Sequence, residues 1–146
     1  MDIDIIDHVA LTTRDLATSL AWYQKIFGFI VLHRWTTTWM ITSGRIKIGL
    51  FLRPNAASID DIDNKIAIQH FAFLMTSEGL SAAQQFLKQS GIAFDGPEDT
   101  GIADSIFLSD PDGHQVELTA YHVPSPAVSE TNLVKDCIAS RNLASS

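Results

Sequence analysis

The feature that most constrains this chain is an internal repeat. Two stretches read as strand, helix and three further strands, and they align as His8-Val9-Ala10 … Phe27-Gly28-Phe29 and His70-Phe71-Ala72 … Ser90-Gly91-Ile92. Each copy carries a histidine inside its first strand. The expected fold is therefore α+β: two βαβββ modules forming a curved mixed sheet around a cleft, with the helices outside and His8 and His70 at equivalent inner positions. Residues 1–53 form the first module, 54–64 a linker, 65–122 the second module and 123–146 a C-terminal tail.

The periodicities behind that outline are local. Ile3 to Thr12 alternates as a strand, and Thr12 or Thr13 can cap a helix in which Leu16, Leu20, Tyr23 and Phe27 recur at helical spacing until Gly28 stops it. Strands are expected at Phe29 to Arg34, Thr37 to Thr42 and Arg45 to Leu52. Pro54, Asn55 and the run Asp60-Asp61-Ile62-Asp63 break the pattern. It restarts with a strand from Lys65 to Met75 and a helix opened by Ser77 and Glu78 and ended by Gly91. A short strand at Ile92 to Asp95 and an irregular loop from Gly96 to Gly101 lead to a hairpin. In the tail, Ser129 can cap a short helix with Leu133, Val134, Cys137 and Ile138 on one side.

Composition removes several classes of function. A net charge of −7 with scattered Lys and Arg argues against a nucleic-acid or anionic-membrane surface. No apolar run approaches the roughly 18 to 20 residues that span a bilayer, and the acidic start Met1-Asp2-Ile3-Asp4 lacks the basic region of a secretory signal. The single Cys137 provides no disulfide framework and no cysteine zinc motif. A cytoplasmic protein acting on a small molecule is the expectation.

The chemistry concentrates at the hairpin Ile106 to Tyr121, which turns through Asp110-Pro111-Asp112-Gly113. Glu117 sits mid-strand between Val116 and Leu118. Alone it would be an ordinary polar-face residue, sharing a face with Gln115, Thr119 and Tyr121. Together with His8 and His70 it completes the two imidazoles and one carboxylate of a facial triad, which leaves metal positions open for substrate. Iron, manganese, zinc, nickel or cobalt would suit such ligands. Trp35, Trp39, Phe51 and Phe107 are candidates to line an apolar cavity beside it, though ordinary core packing is the readier account of any one of them.

The stretches Ile6-Asp7-His8-Val9-Ala10-Leu11, Gln69-His70-Phe71-Ala72-Phe73 and Phe107 to Leu118 resemble the vicinal oxygen chelate superfamily, which includes glyoxalases, extradiol dioxygenases, fosfomycin-resistance enzymes and bleomycin-binding proteins. The resemblance covers about residues 3 to 122 and implies metal ligands at His8, His70 and Glu117. Where the four-ligand glyoxalases resemble this chain, their additional ligand falls at Gly49, which cannot ligate. Of the anion-binding set of the fosfomycin enzymes, Ser105 matches; Ala10, Pro97 and Phe107 do not. Phe107 also stands where extradiol enzymes carry a tyrosine.

These readings lead to one expected activity. A divalent metal would chelate a small oxygen-rich substrate and stabilise an oxyanion or enolate, with extradiol-dioxygenase-like or lyase/transferase chemistry and either Tyr121 or water on the metal as proton acceptor, a choice that spacing does not make. The competing expectation is a metal-free protein that sequesters a small molecule such as an antibiotic. The resemblance also implies a homodimer, in some relatives with modules exchanged so that His8 of one chain meets His70 and Glu117 of the other.

Overall fold

A computed structural model of the chain describes residues 1–123; the expected tail helix lies outside them. The first module contains β1 (Val9–Thr13), α1 (Leu16–Phe27), β2 (Ile30–Arg34), β3 (Thr38–Ser43) and β4 (Ile46–Leu52), in the sheet order β1-β4-β3-β2. β1 runs parallel to β4, with Val9 beside Ile48 and Thr13 beside Leu52. A parallel pair needs a long crossover, and the intervening α1, β2 and β3 supply it. α1 packs against β2, β3 and β4. Leu11, Leu16, Tyr23, Phe29, Ile41, Ile48 and Leu50 are the buried apolar residues of this module.

β1 is shorter than the alternation of Ile3 to Thr12 suggests. Its ladder partner β4 starts only at Ile46, so residues ahead of Asp7 have no neighbouring backbone there to extend the pairing. Ile3, Ile5 and Ile6 are left exposed. The cap of α1 also differs from expectation. Asp15, and neither Thr12 nor Thr13, accepts the amide of Thr18 at 2.7 Å, because the Thr13 hydroxyl is buried against Ser19 Oγ at 2.6 Å. Gly28, at φ 69°, takes the left-handed conformation that ends the helix.

The second module contains β5 (His70–Leu74), α2 (Ser77–Gln89), β6 (Asp95–Asp99), β7 (Ala103–Ser109) and β8 (Gln115–Tyr121), in the order β5-β8-β7-β6. Thr76 caps α2 by accepting the Gly79 amide at 3.0 Å. β6 occupies a stretch expected to be irregular. Asp95-Gly96-Pro97-Glu98-Asp99 has no apolar residue to alternate and a cis Gly96–Pro97 bond, but it is an edge strand, where proline and charge are tolerated. β7 is its partner, with Glu98 opposite Ser105 and Asp99 opposite Asp104. Val116, Leu118 and Ala120 of β8 are buried, and Glu117 and Thr119 between them are half-buried.

Contacts divide the chain into two compact units. One comprises Met1–Phe71 with Ser109–Val116, the other Ala72–Leu108 with the chain from Glu117 onward. The hairpin turn thus belongs with the first unit, and its two aspartates explain why. Tyr23, fully buried, donates its hydroxyl to Asp110 Oδ2 at 2.9 Å. The other oxygen of Asp110 accepts the amides of Asp112 and His114 at 2.9 and 2.8 Å. Asp112 in turn accepts from Arg14 Nε at 3.0 Å and from Ser19 Oγ at 3.2 Å.

Candidate functional site

The sheet of the first module has one face against α1, and the ladder decides which side chains share the opposite one. Residues paired across a sheet point the same way. Ala10 lies beside Gly49 and Thr12 beside Phe51, while Met40 and Thr38 of β3 lie opposite the same two β4 residues. This open face therefore carries Ala10, Thr12, Thr38, Met40, Lys47, Gly49 and Phe51. His8 immediately precedes β1, in phase with Ala10 and Thr12, and is exposed.

His8 is not an isolated imidazole. Its Nδ1 lies 2.8 Å from Asp7 Oδ2, and the other carboxylate oxygen of Asp7 is bonded by Lys47 Nζ. The hydrogen bond from Lys47, followed by that from His8, holds Asp7 below the usual carboxylate range. A carboxylate on one ring nitrogen fixes the tautomer and orientation of a histidine and commits the opposite nitrogen, Nε2, to any ligand role. Spacing along the sequence could not have revealed Lys47 as the third member, since it comes from a neighbouring strand.

His70 opens β5 and is exposed. It also lines a cavity of about 330 Å³ in the first unit, along with Ala10, Thr12, Ile59, Ile62 and His114. That volume is at the small end of ligand cavities. Ile59 and Ile62 belong to the stretch expected to be a linker; their signal in the sequence is two isoleucines inside an otherwise acidic run. His114 is fixed elsewhere, with Nε2 2.8 Å from the Thr12 carbonyl.

The aromatic residues expected around a substrate separate in the structure. Phe51 is on the open face. Trp39, opposite Leu50 in the ladder, faces the α1 side, where the Arg34 guanidinium lies 4.7 Å from its ring centre. Trp35 is 52% exposed and meets His33 edge-on at 4.4 Å. None of Trp35, Trp39 and Phe51 lines the 330 Å³ cavity.

In the second unit, Glu117 shares its side of β8 with Thr119 and Tyr121. Ser105, on the adjacent strand β7, is fully buried; its Oγ lies 2.6 Å from Glu117 Oε1 and 3.0 Å from Thr119 Oγ1. Phe107 follows two residues later on β7 and is half-buried. Tyr121 ends β8 and is exposed.

Residues 5–118 match the family model described as Glyoxalase/Bleomycin resistance protein/Dioxygenase superfamily. The chain belongs to this superfamily. It is 31% identical over 117 residues to a catechol-2,3-dioxygenase of Bacillus subtilis (strain 168), covering 79% of this chain but 41% of that protein. The chain thus spans about two-fifths of the dioxygenase's length. It is likewise 31% identical over 120 residues to the metallothiol transferase FosB of Staphylococcus epidermidis (strain ATCC 12228 / FDA PCI 1200), covering 81% of this chain and 82% of that one. The crystal structure of a glyoxalase family protein from Enterococcus faecalis superposes with a TM-score of 0.71 at 21% identity, over 82% of this chain and 99% of that one. This last likeness concerns the fold alone.

Two observations refine the superfamily pattern for this member. A Cβ placed on Gly49 would meet Phe51 Cε2 at 3.1 Å, so the ring of Phe51 occupies the space into which a side chain at Gly49 would grow. Among the described residues, Asp99, Asp104 and His122 form a group whose potential ligand atoms lie within 4.8 Å of one another. His122 Nε2 lies 3.0 Å from Asp99 Oδ1 and 4.0 Å from Asp104 Oδ1. Asp104 is the ladder partner of Asp99, and like charges so placed repel. The Gly101 amide, then His122, hold Asp99 below the ordinary carboxylate range.

Proposed function

We propose that the chain is a metal-dependent enzyme of the superfamily, with His8, His70 and Glu117 holding one divalent cation. The observation that carries this reading is the donor chemistry: an imidazole at matching positions of both modules, the first already oriented by Asp7, and a carboxylate held by Ser105 on β8. Hydrogen-bond partners of this kind orient metal-binding histidines and carboxylates. Glycine at position 49, covered by Phe51, leaves a ligand set of three and supports a site with room for substrate.

The cation would supply Lewis-acid chemistry, polarising a substrate oxygen and stabilising oxyanion or enolate charge. The protein's part is to bind and orient. The first-unit cavity beside His70 is bounded by Ile59 and Ile62 and fits a small molecule with an apolar body. Lys47 is engaged with Asp7 and so serves the ligand histidine before it serves an anion. Tyr121, on the Glu117 side of β8, is the candidate proton acceptor. A dioxygenase or a lyase or transferase reaction fits this arrangement, and the names of the relatives include both a dioxygenase and a transferase.

The functional unit in this reading is a homodimer. The isoleucines ahead of β1 and of β5, repeat-equivalent segments, are highly exposed: Ile3 80%, Ile6 83% and Ile68 81%. Exposed apolar side chains on both segments favour association.

The deciding experiment is metal analysis of protein purified without added metal, alongside His8→Ala, His70→Ala and Glu117→Ala. One divalent ion per wild-type chain, lost in all three folded variants, is the expected result, and substrate screens under air and under argon then separate oxygenase from lyase or transferase. A metal-free wild type would end the reading and turn the search to a sequestered ligand.

A further inference from the structure

We infer that Ser105 is a positioning residue for Glu117 and not a substrate-binding hydroxyl. The inference rests on the reading of Glu117 as a metal ligand. Ser105 Oγ is fully buried and within hydrogen-bond reach of two side chains, Glu117 Oε1 at 2.6 Å and Thr119 Oγ1 at 3.0 Å. A hydroxyl carries one proton, and a carboxylate oxygen can only accept. Ser105 Oγ is the donor towards both, and its one proton serves the shorter contact, to the Glu117 carboxylate, ahead of the longer one to Thr119. The 2.6 Å separation belongs to the short, charge-assisted class of hydrogen bond.

The result is a bond from Ser105 to Glu117 across adjacent strands of one sheet. Strands hold such a bond more rigidly than loops do, and a carboxylate with one oxygen tied to a buried donor has lost most of its freedom to rotate. Ser105 consequently has no proton to offer an anionic substrate. That removes the one residue of this chain matching the anion-binding set of the fosfomycin enzymes, and points away from a phosphonate substrate.

The test is titration of apo protein with Co2+, read by visible absorption and by affinity, for wild type, Ser105→Ala, Ser105→Thr, Thr119→Val and Glu117→Ala, with circular dichroism as the check on folding. Ser105→Ala should bind Co2+ about 10- to 100-fold more weakly, the usual cost of removing a residue that hydrogen-bonds a metal ligand, with a changed absorption envelope. Ser105→Thr, which keeps the hydroxyl, should restore both. Thr119→Val, which removes the competing acceptor and leaves the Ser105 proton to Glu117, should keep wild-type affinity, and this arm stands even should Ser105→Ala fail to fold. Wild-type affinity and spectrum in Ser105→Ala would overturn the inference, as would weakened binding in Thr119→Val or equal weakening in Ser105→Ala and Ser105→Thr. Retention of Co2+ by Glu117→Ala is a different failure: it would show that Glu117 is not a ligand, whatever Ser105 does.

Discussion

Asp110 and Asp112 sit two residues apart in one turn, yet their environments push them in opposite directions. Burial raises Asp110 above the ordinary carboxylate range, against the opposing pull of His114, Tyr23 and the turn amides. Burial also raises Asp112, but hydrogen bonds from Thr13, Arg14 and Ser19 outweigh it and leave this carboxyl lowered. Asp110 therefore contributes stability that is complete below about pH 4, the unfolded value, and is lost as pH rises through its folded pKa; Asp112 contributes stability present above about pH 4 and lost as pH falls. In urea unfolding between pH 3 and 7, the stability of wild type relative to Asp110→Asn should decline with rising pH, and relative to Asp112→Asn it should increase. Equal slopes would contradict the assignment. Tyr23→Phe, which strips a donor from a buried carboxylate, should cost about 1–3 kcal/mol in the same assay at neutral pH. Neither aspartate's partners could be found from spacing, since Tyr23 and Asp110 lie 87 residues apart in sequence.

At the level of elements, the repeat predicted both helices and the order of strands because each module's apolar periodicity is local. Leu16 and Tyr23 on α1 and Leu80 and Leu87 on α2 are buried as that spacing requires. What local pattern could not give was register. Which face receives Trp39 depends on its pairing with Leu50 across the ladder, and β6 is a strand through its partner β7 rather than through any alternation of its own. Strand length failed for the same reason, as β1 starts only where β4 is there to meet it. Likewise, Glu117 and Ser105 were legible as polar residues on strands, but their bond across β7 and β8 was not. Caps, by contrast, are local and testable. Thr76→Ala should destabilise the protein by about 1 kcal/mol through loss of the Gly79 bond, and Thr76→Asp should recover most of it, read from thermal or urea unfolding.

For the whole molecule, the proposed homodimer and the proposed metal site make a joint prediction if modules are exchanged between chains. Inactive His8→Ala and Glu117→Ala proteins, unfolded together and refolded as a mixture, should regain part of the wild-type metal content and activity, because one of the two sites in a mixed dimer is then built from intact residues. Sedimentation of the wild type should show a dimer, and a monomer with full metal content would count against the exchanged arrangement. The two-unit division has a separate consequence for synthesis. The partners of Arg14, Ser19 and Tyr23 lie in the turn Ser109–Val116, so the amino-terminal half cannot finish folding when it leaves the ribosome. It has to wait, with Tyr23 still seeking its acceptor, until the turn Ser109–Val116 has been made. Despite the duplicated architecture, the first unit is finished only after most of the second has been synthesised.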